Sequence, residues 1–213
     1  MPHRVLVGLL VLVFAASADE WASPQIREVF CRSRHYWVRV TPGKSIGDTV
    51  GFQGAQKGPY ARAELYEQRA DRSYGLVYEI TLLNPVAPVD FFVTDRGYLI
   101  TLDNWHNMGY GSIACFYSPA GKLIQSYKLQ DLFSKAEIDA TRTSVSSIWW
   151  RVPPTYVREE ERSLYVGTND HGGSIIFETE TGKYQICENR NKHFVCRNSN
   201  EHRQWGAFRE LKL

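Results

Sequence analysis

Gly111-Ser112-Ile113-Ala114-Cys115-Phe116-Tyr117 runs into the turn Ser118-Pro119-Ala120-Gly121-Lys122, and Gly173-Ser174-Ile175-Ile176-Phe177-Glu178 runs into Thr179-Glu180-Thr181-Gly182-Lys183. Each is an apolar run that opens on Gly-Ser-Ile and closes on a Gly-Lys turn. Each follows a strand-like segment and a polar loop with Asp, Asn and His. The first loop is Asp103-Asn104-Trp105-His106 and the second is Asn169-Asp170-His171. The two copies stand about 61 residues apart with one residue of slippage, the mark of a supersecondary unit used more than once. The implied order is strand, turn, strand, loop, strand, Gly-Lys turn, strand.

Working outward, the same grammar continues. His35 to Thr41 alternates, with Tyr36, Val38 and Val40 on one face and His35, Trp37 and Arg39 on the other, which is the period of a strand. Ala61 to Glu67 and Gly75 to Leu83 are strands joined by Arg69-Ala70-Asp71-Arg72-Ser73, and Asn84-Pro85 stops the second, because Pro lacks a donor and restricts its predecessor. Val89 to Thr94 and Tyr98 to Leu102 are joined by Asp95-Arg96-Gly97, a short turn with Gly available for positive φ. Lys122 to Leu129, Ser163 to Gly167 and Tyr184 to Cys187 complete the set, with a further strand expected at Ser144 to Trp150 and broken at Pro153-Pro154. Residues 42–59 read as a loop around one short strand, Thr49 to Phe52. Two helices are expected. A short one opens at Ser23-Pro24, with Ser as N-cap and Pro at the first helical position. The other runs over 134–141, where Ser134 and Glu137 form a capping box.

These elements predict an all-β fold of antiparallel meanders resembling two or three β-propeller blades, with one short helix near 134–141. The length is short of a six- or seven-bladed ring, so an incomplete propeller or a sandwich is expected.

The chain begins with Arg4, an apolar run from Val5 to Ala16 and the small-residue site Ala16-Ser17-Ala18. A dozen apolar residues are too few to span a bilayer, which takes about 20, and the order is that of a signal peptide. The expected organisation is a signal peptide over 1–18 and a single β-rich domain over 19–213, with a polar tail from about residue 189. The implied location is periplasmic or secreted. The formal net charge is +2, which gives no electrostatic case for nucleic acid as the main partner.

Four cysteines follow the leader: Cys31, Cys115, Cys187 and Cys196. In an exported chain this count allows three disulfide pairings. Cys187 and Cys196 flank a short polar stretch, and closing it contributes roughly 2–3 kcal/mol in the chain-entropy model. Cys31 then pairs with Cys115 by elimination, unless the cysteines stay buried as free thiols.

The sequence has no Gly-x-Ser-x-Gly elbow, His-Glu-x-x-His pair, phosphate-binding loop or EF-hand run. Gly109-Tyr110-Gly111-Ser112-Ile113-Ala114 has the letters of a dinucleotide fingerprint but opens a strand rather than a helix. No cofactor is indicated. His106 and His171 occupy corresponding loops, near Asp103 and Asp170. Were those loops to converge, His and carboxylate groups suit a metal ion and metal-assisted hydrolysis. The plainer reading is that Asp, Asn and His are turn residues whose side chains bond local backbone. Trp105 and Tyr110, with Trp149 and Trp150, offer aromatic surface for a protein or glycan partner, although one of the adjacent tryptophans belongs in the core.

Between Asp90 and Trp150 the chain resembles bacterial exported β-repeat proteins of unknown function. The likeness rests on Leu102-Asp103-Asn104-Trp105-His106, Gly109-Tyr110-Gly111, Gly121-Lys122, Leu129 with Asp131-Leu132, and Ser144-Val145-Ser146-Ser147-Ile148-Trp149, about a third of the chain. It implies a bacterial envelope or secreted location and transfers no catalytic residue. The reading expected from the whole sequence is a non-catalytic binding or scaffold domain whose rim is Asp103, Trp105, His106, Tyr110, Asp170 and His171. The alternative is a metal-dependent enzyme using His106, His171, Asp103 and Asp170.

Overall fold

A computed structural model of the protein describes residues 21–52, 54–168, 173–190 and 193–198. Three antiparallel sheets follow one another along the chain. Sheet I holds β1 (Arg27–Phe30), β2 (Tyr36–Thr41), β3 (Arg62–Gln68) and β4 (Tyr74–Thr81) in chain order. Sheet II holds β5 (Pro88–Val93), β6 (Leu99–Asn104), β7 (Ala114–Tyr117) and β8 (Leu123–Tyr127). Sheet III holds β9 (Arg151–Arg158), β10 (Ser163–Thr168), β11 (Ser174–Glu178), β12 (Tyr184–Arg190) and β13 (His193–Asn198). Two short helices, α1 (Leu129–Leu132) and α2 (Lys135–Ala140), lie between sheets II and III in the chain. The fold is all-β, as expected, and sandwich-like.

Sheet II is the middle layer. All of β6 and β7 is buried. Their side chains divide by parity, because successive residues of a strand point to opposite faces. Ile100, Leu102, Ala114 and Phe116 join Leu164, Val166, Ile175 and Phe177 of sheet III in one cluster, which α1 extends with Leu129 and Leu132. Leu99, Cys115 and Tyr117 join Val38, Val40, Ala63 and Leu65 of sheet I in the other. A strand covered on both faces reads as an unbroken apolar run, as residues 113–117 do. Sheet I has one wet face instead. There Glu28, Arg39, Glu64 and Glu79 pair across four strands.

The Gly-Lys turns explain how the layers meet. Gly121 and Gly182 have φ of 75° and 71°, a region where a side chain costs roughly 1–2 kcal/mol. Both also touch the preceding sheet. A Cβ on Gly121 would stand 2.7 Å from Ile80 Cγ2 of β4, and one on Gly182 would stand 2.8 Å from Gln125 Cβ of β8. Glycine therefore serves turn geometry and layer packing together.

Several local expectations are corrected. Residues 21–26 have no regular structure, and Arg27–Phe30 forms β1 rather than part of a helix. Pairing with β2, Phe30 against Trp37, outweighs a cap signal on a helix too short to nucleate well. Thr49 to Phe52 is a turn after a 3-10 segment at Ile46–Asp48. Residues 144–150 are irregular apart from a bridge between Thr143 and Ile148. Pro153 and Pro154 lie inside β9, at a register shift opposite Val166 and Gly167. An edge strand with a bulge needs no donor there. The 134–141 helix has its reciprocal Ser134–Glu137 bonds. The one-turn helix before it was not foreseen in the sequence.

Cys187 and Cys196 face each other on β12 and β13 and form a disulfide. Cys31 and Cys115 are buried free thiols, which corrects their pairing by elimination. The spacing of four cysteines carries no information on the depth of two of them. Burial pushes the Cys115 thiol up to about 11, so it stays protonated and unreactive.

Candidate functional site

The site grows from the end of β6. Asp103 is buried there with φ of 58°. Its carboxylate accepts from Trp150 Nε1 at 2.7 Å, from the Gly109 N–H at 3.0 Å and from Arg151 Nε at 2.5 Å. Arg151 also donates through Nη2 to Asp90 Oδ2 at 2.7 Å. Burial works to lower the Arg151 pKa, but the two carboxylates outweigh it and hold it raised. On the far side of Asp90, Arg27 donates to the Pro88 carbonyl at 2.7 Å and lies 4.7 Å from the Phe91 ring. Burial, opposed by Asp90, lowers its pKa. Arg27, Asp90, Arg151 and Asp103 thus link β1 of sheet I, β5 and β6 of sheet II, and β9 of sheet III.

The main chain of the loop is held by amides. Asn84 Nδ2 donates to Asp103 O and Asn104 Oδ1, both at 2.9 Å. Asn104 Nδ2 donates to Tyr110 O at 2.7 Å and Ser112 O at 3.2 Å. Asn107 accepts from the Val50 N–H at 2.6 Å and donates to Val50 O at 3.0 Å and Ser146 O at 3.1 Å. The loop folds back sharply at Gly109, where a Cβ would meet Ile148 O at 2.7 Å.

On this frame Trp105 and His106 are half-buried. Trp21 meets Trp105 edge to face at 5.4 Å and His106 at 5.9 Å. Phe52 lies 5.5 Å from His106, and the Arg27 guanidinium is 5.8 Å from the Trp105 ring. Trp105 Nε1 donates to Ala22 O at 2.9 Å. Burial lowers the His106 pKa, so the ring is neutral at pH 7. The rim is apolar and wet, with Val50 42%, Phe52 41% and Val145 83% exposed.

Of the expected site residues, the structure brings Trp105 and His106 together at the surface and places Asp103 beneath them, its oxygens committed to the frame. Tyr110 contributes its carbonyl to Asn104. Asp170 and His171 lie outside the described residues. Among the described residues no group of three His, Cys, Asp or Glu is placed to hold a metal ion. Sequence reasoning missed Trp21, Phe52, Asn107 and Arg151. Asn107, two residues beyond Trp105, continued the same polar run and was the one legible signal.

Two other surfaces have their groups engaged within the protein. Phe30, Trp37, Tyr66 and Leu76 form a row across sheet I, but Trp37 and Tyr66 stack at 4.1 Å and 5°, so their faces are spent on each other. A shallow cleft lined by Arg32, Ser33, Asp95, Arg96, Glu159 and Glu160 is laced by its own contacts. These include Arg32 to Glu160, Arg96 to Glu180 at 2.9 Å, and the Asp95 N–H to Glu159 at 3.0 Å.

The fold and site define an all-β domain with a layered core and an aromatic end. The chain matches no family model, no curated protein and no solved structure.

Proposed function

We propose that the protein is a non-catalytic exported binding domain, and that its ligand surface is the aromatic end built on Trp105 and His106. One observation carries the reading. Two half-buried rings, Trp105 and His106, sit beside exposed Phe52 on a loop whose main chain is locked by buried Asp103, Asn104 and Asn107. A rim ordered before binding spends little entropy on association, and exposed aromatic side chains surrounded by apolar residues mark contact surfaces. The export reading is supported by the leader-like residues 1–18 and by the Cys187–Cys196 disulfide, since such bonds persist in oxidising compartments. An envelope protein or glycan is the partner class this implies. The likeness to bacterial exported β-repeat proteins points the same way.

The test is binding of the purified protein to isolated envelope fractions, with Trp105→Ala and His106→Ala variants alongside. Loss of binding with an unchanged unfolding midpoint supports the reading. Unchanged binding in both variants removes this end from consideration.

A further inference from the structure

We infer that the Trp105–His106 cluster is a receptor for an aromatic side chain carried on an extended peptide, and that Trp21 is an occupant built into the chain. The inference rests on reading this end as a binding surface. It adds the ligand class and a form of regulation.

The contacts of Trp21 and Ala22 are those by which short segments are recognised. The ring is held edge to face by Trp105 and His106. Its Nε1 reaches Ser146 Oγ at 3.4 Å, the long end of the hydrogen-bond range. The next carbonyl, Ala22 O, accepts from Trp105 Nε1 at 2.9 Å. A pocket for one side chain plus a main-chain bond is a general mode of reading extended peptide. Edge-to-face geometry suits an aromatic ring, whereas a sugar would lie flat on a free ring face. The edge-to-face ring contacts and the main-chain bond therefore favour peptide over polysaccharide.

The receptor stands without the segment that fills it. The Trp105 N–H donates to Ala87 O at 2.8 Å, and Asn107 ties the loop to Val50 and Ser146. The segment itself is lightly held. Residues 21–26 have no regular structure, and Ala22, Ser23, Gln25 and Ile26 are exposed. The Gln25 amide turns back to Ser23 O at 3.3 Å. Segments with few apolar contacts and exposed backbone open at low free-energy cost. Around the ring, Val50, Phe52 and Val145 remain exposed. An incoming aromatic segment can cover that rim as well as replace Trp21. The tethered occupant lowers the apparent affinity of any such ligand by the fraction of time the site is open.

The probe is a synthetic peptide with the sequence of residues 19–24, added to native protein and to a Trp21→Ala variant. Binding is followed by calorimetry and by the NMR signals of the Trp105 indole N–H and the His106 ring. The variant is expected to bind the peptide at least about tenfold more tightly than native protein. A peptide with Ala in place of its Trp is expected not to bind, and Trp105→Ala in the variant background abolishes the effect. Should Trp21→Ala fold poorly, Trp21→Leu keeps apolar cover while removing the ring. Equal binding to native and variant protein overturns the built-in occupant. No shift of either ring signal in the variant at millimolar peptide overturns the receptor. If neutral oligosaccharides shift those signals and the peptide does not, the peptide class fails while the binding surface stands.

Discussion

Asp103 is the residue on which the aromatic end depends. Its carboxylate neutralises a buried guanidinium and closes two further bonds. Removing one partner of a buried pair leaves the other uncompensated, at about 3–5 kcal/mol. Asp103→Ala is expected to lose about 3 kcal/mol in urea unfolding, with Asp103→Asn losing less. His106 sits above it with a pKa held low by burial. Its unfolded form binds a proton more readily, so its contribution is present above the unfolded pKa of about 6.5 and fades as pH falls through the lower folded value. His106→Asn, which tolerates the left-handed φ of 70°, should flatten part of the fall in melting temperature between neutral and mildly acidic pH. Glu159 has the opposite sign. Burial raises its pKa, opposed by the Asp95 N–H bond and assisted by the Asp95 charge. The charged form is disfavoured in the fold, and its cost appears as pH rises through the interval between the two values. Glu159→Gln keeps an acceptor for the Asp95 N–H and is expected to raise the melting temperature at pH 7. The gain should vanish below about pH 4.

The elements are set by turn chemistry, and the hairpins show which residue types it favours. Gly97, Gly121 and Gly182 occupy left-handed positions in their turns, and Arg72 occupies one in the β3–β4 turn with φ of 68°. Arg72→Gly is expected to stabilise the protein by about 0.5–1 kcal/mol, partly offset by the greater freedom of glycine in the unfolded chain. Gly121→Ala should destabilise it by at least about 1–2 kcal/mol, since the new methyl also meets Ile80. Chemical denaturation of the two variants checks both signs. One edge strand of each sheet carries the same device. Val77 of β4, Ile124 of β8 and the Pro pair of β9 are extra residues at register shifts. Bulges twist an edge away from further pairing, which argues against strand addition at these three edges.

At the scale of the whole molecule, two apolar interfaces share one middle sheet, so damage to that sheet reaches both. Phe116, fully buried among Leu164, Ile175 and Phe177, should cost about 3–5 kcal/mol as Phe116→Ala. Thermal unfolding should show sheets II and III losing order together. The disulfide acts more locally. It spans a sequence separation of 9 and ties β13 to β12 at the edge of sheet III. Its reduction is expected to raise amide exchange in β13 and to leave the ring contacts of Trp105 and His106 unchanged, read by exchange and NMR on reduced and oxidised protein.

Much of the fold was legible in local sequence, because hairpins and caps are decided by residues a few positions apart. The Gly-Lys turns, the apolar run of 113–117, the Ser134–Glu137 cap and the short Cys187–Cys196 closure all follow from neighbouring side chains and backbone preference. The polar loop at Asp103 to His106 was legible as a place of interest, though not the division of labour within it. Only the tertiary structure decided that Asp103 answers Arg151 from 48 positions away and that Trp105 answers Ala22 from 83. It also decided that residues 27–30 are drawn into a sheet by β2, and that Cys31 and Cys115 stay reduced inside the core. Each of these depends on which faces of three sheets come together. That choice minimises exposed apolar area over the whole molecule, and no short window of the chain contains it.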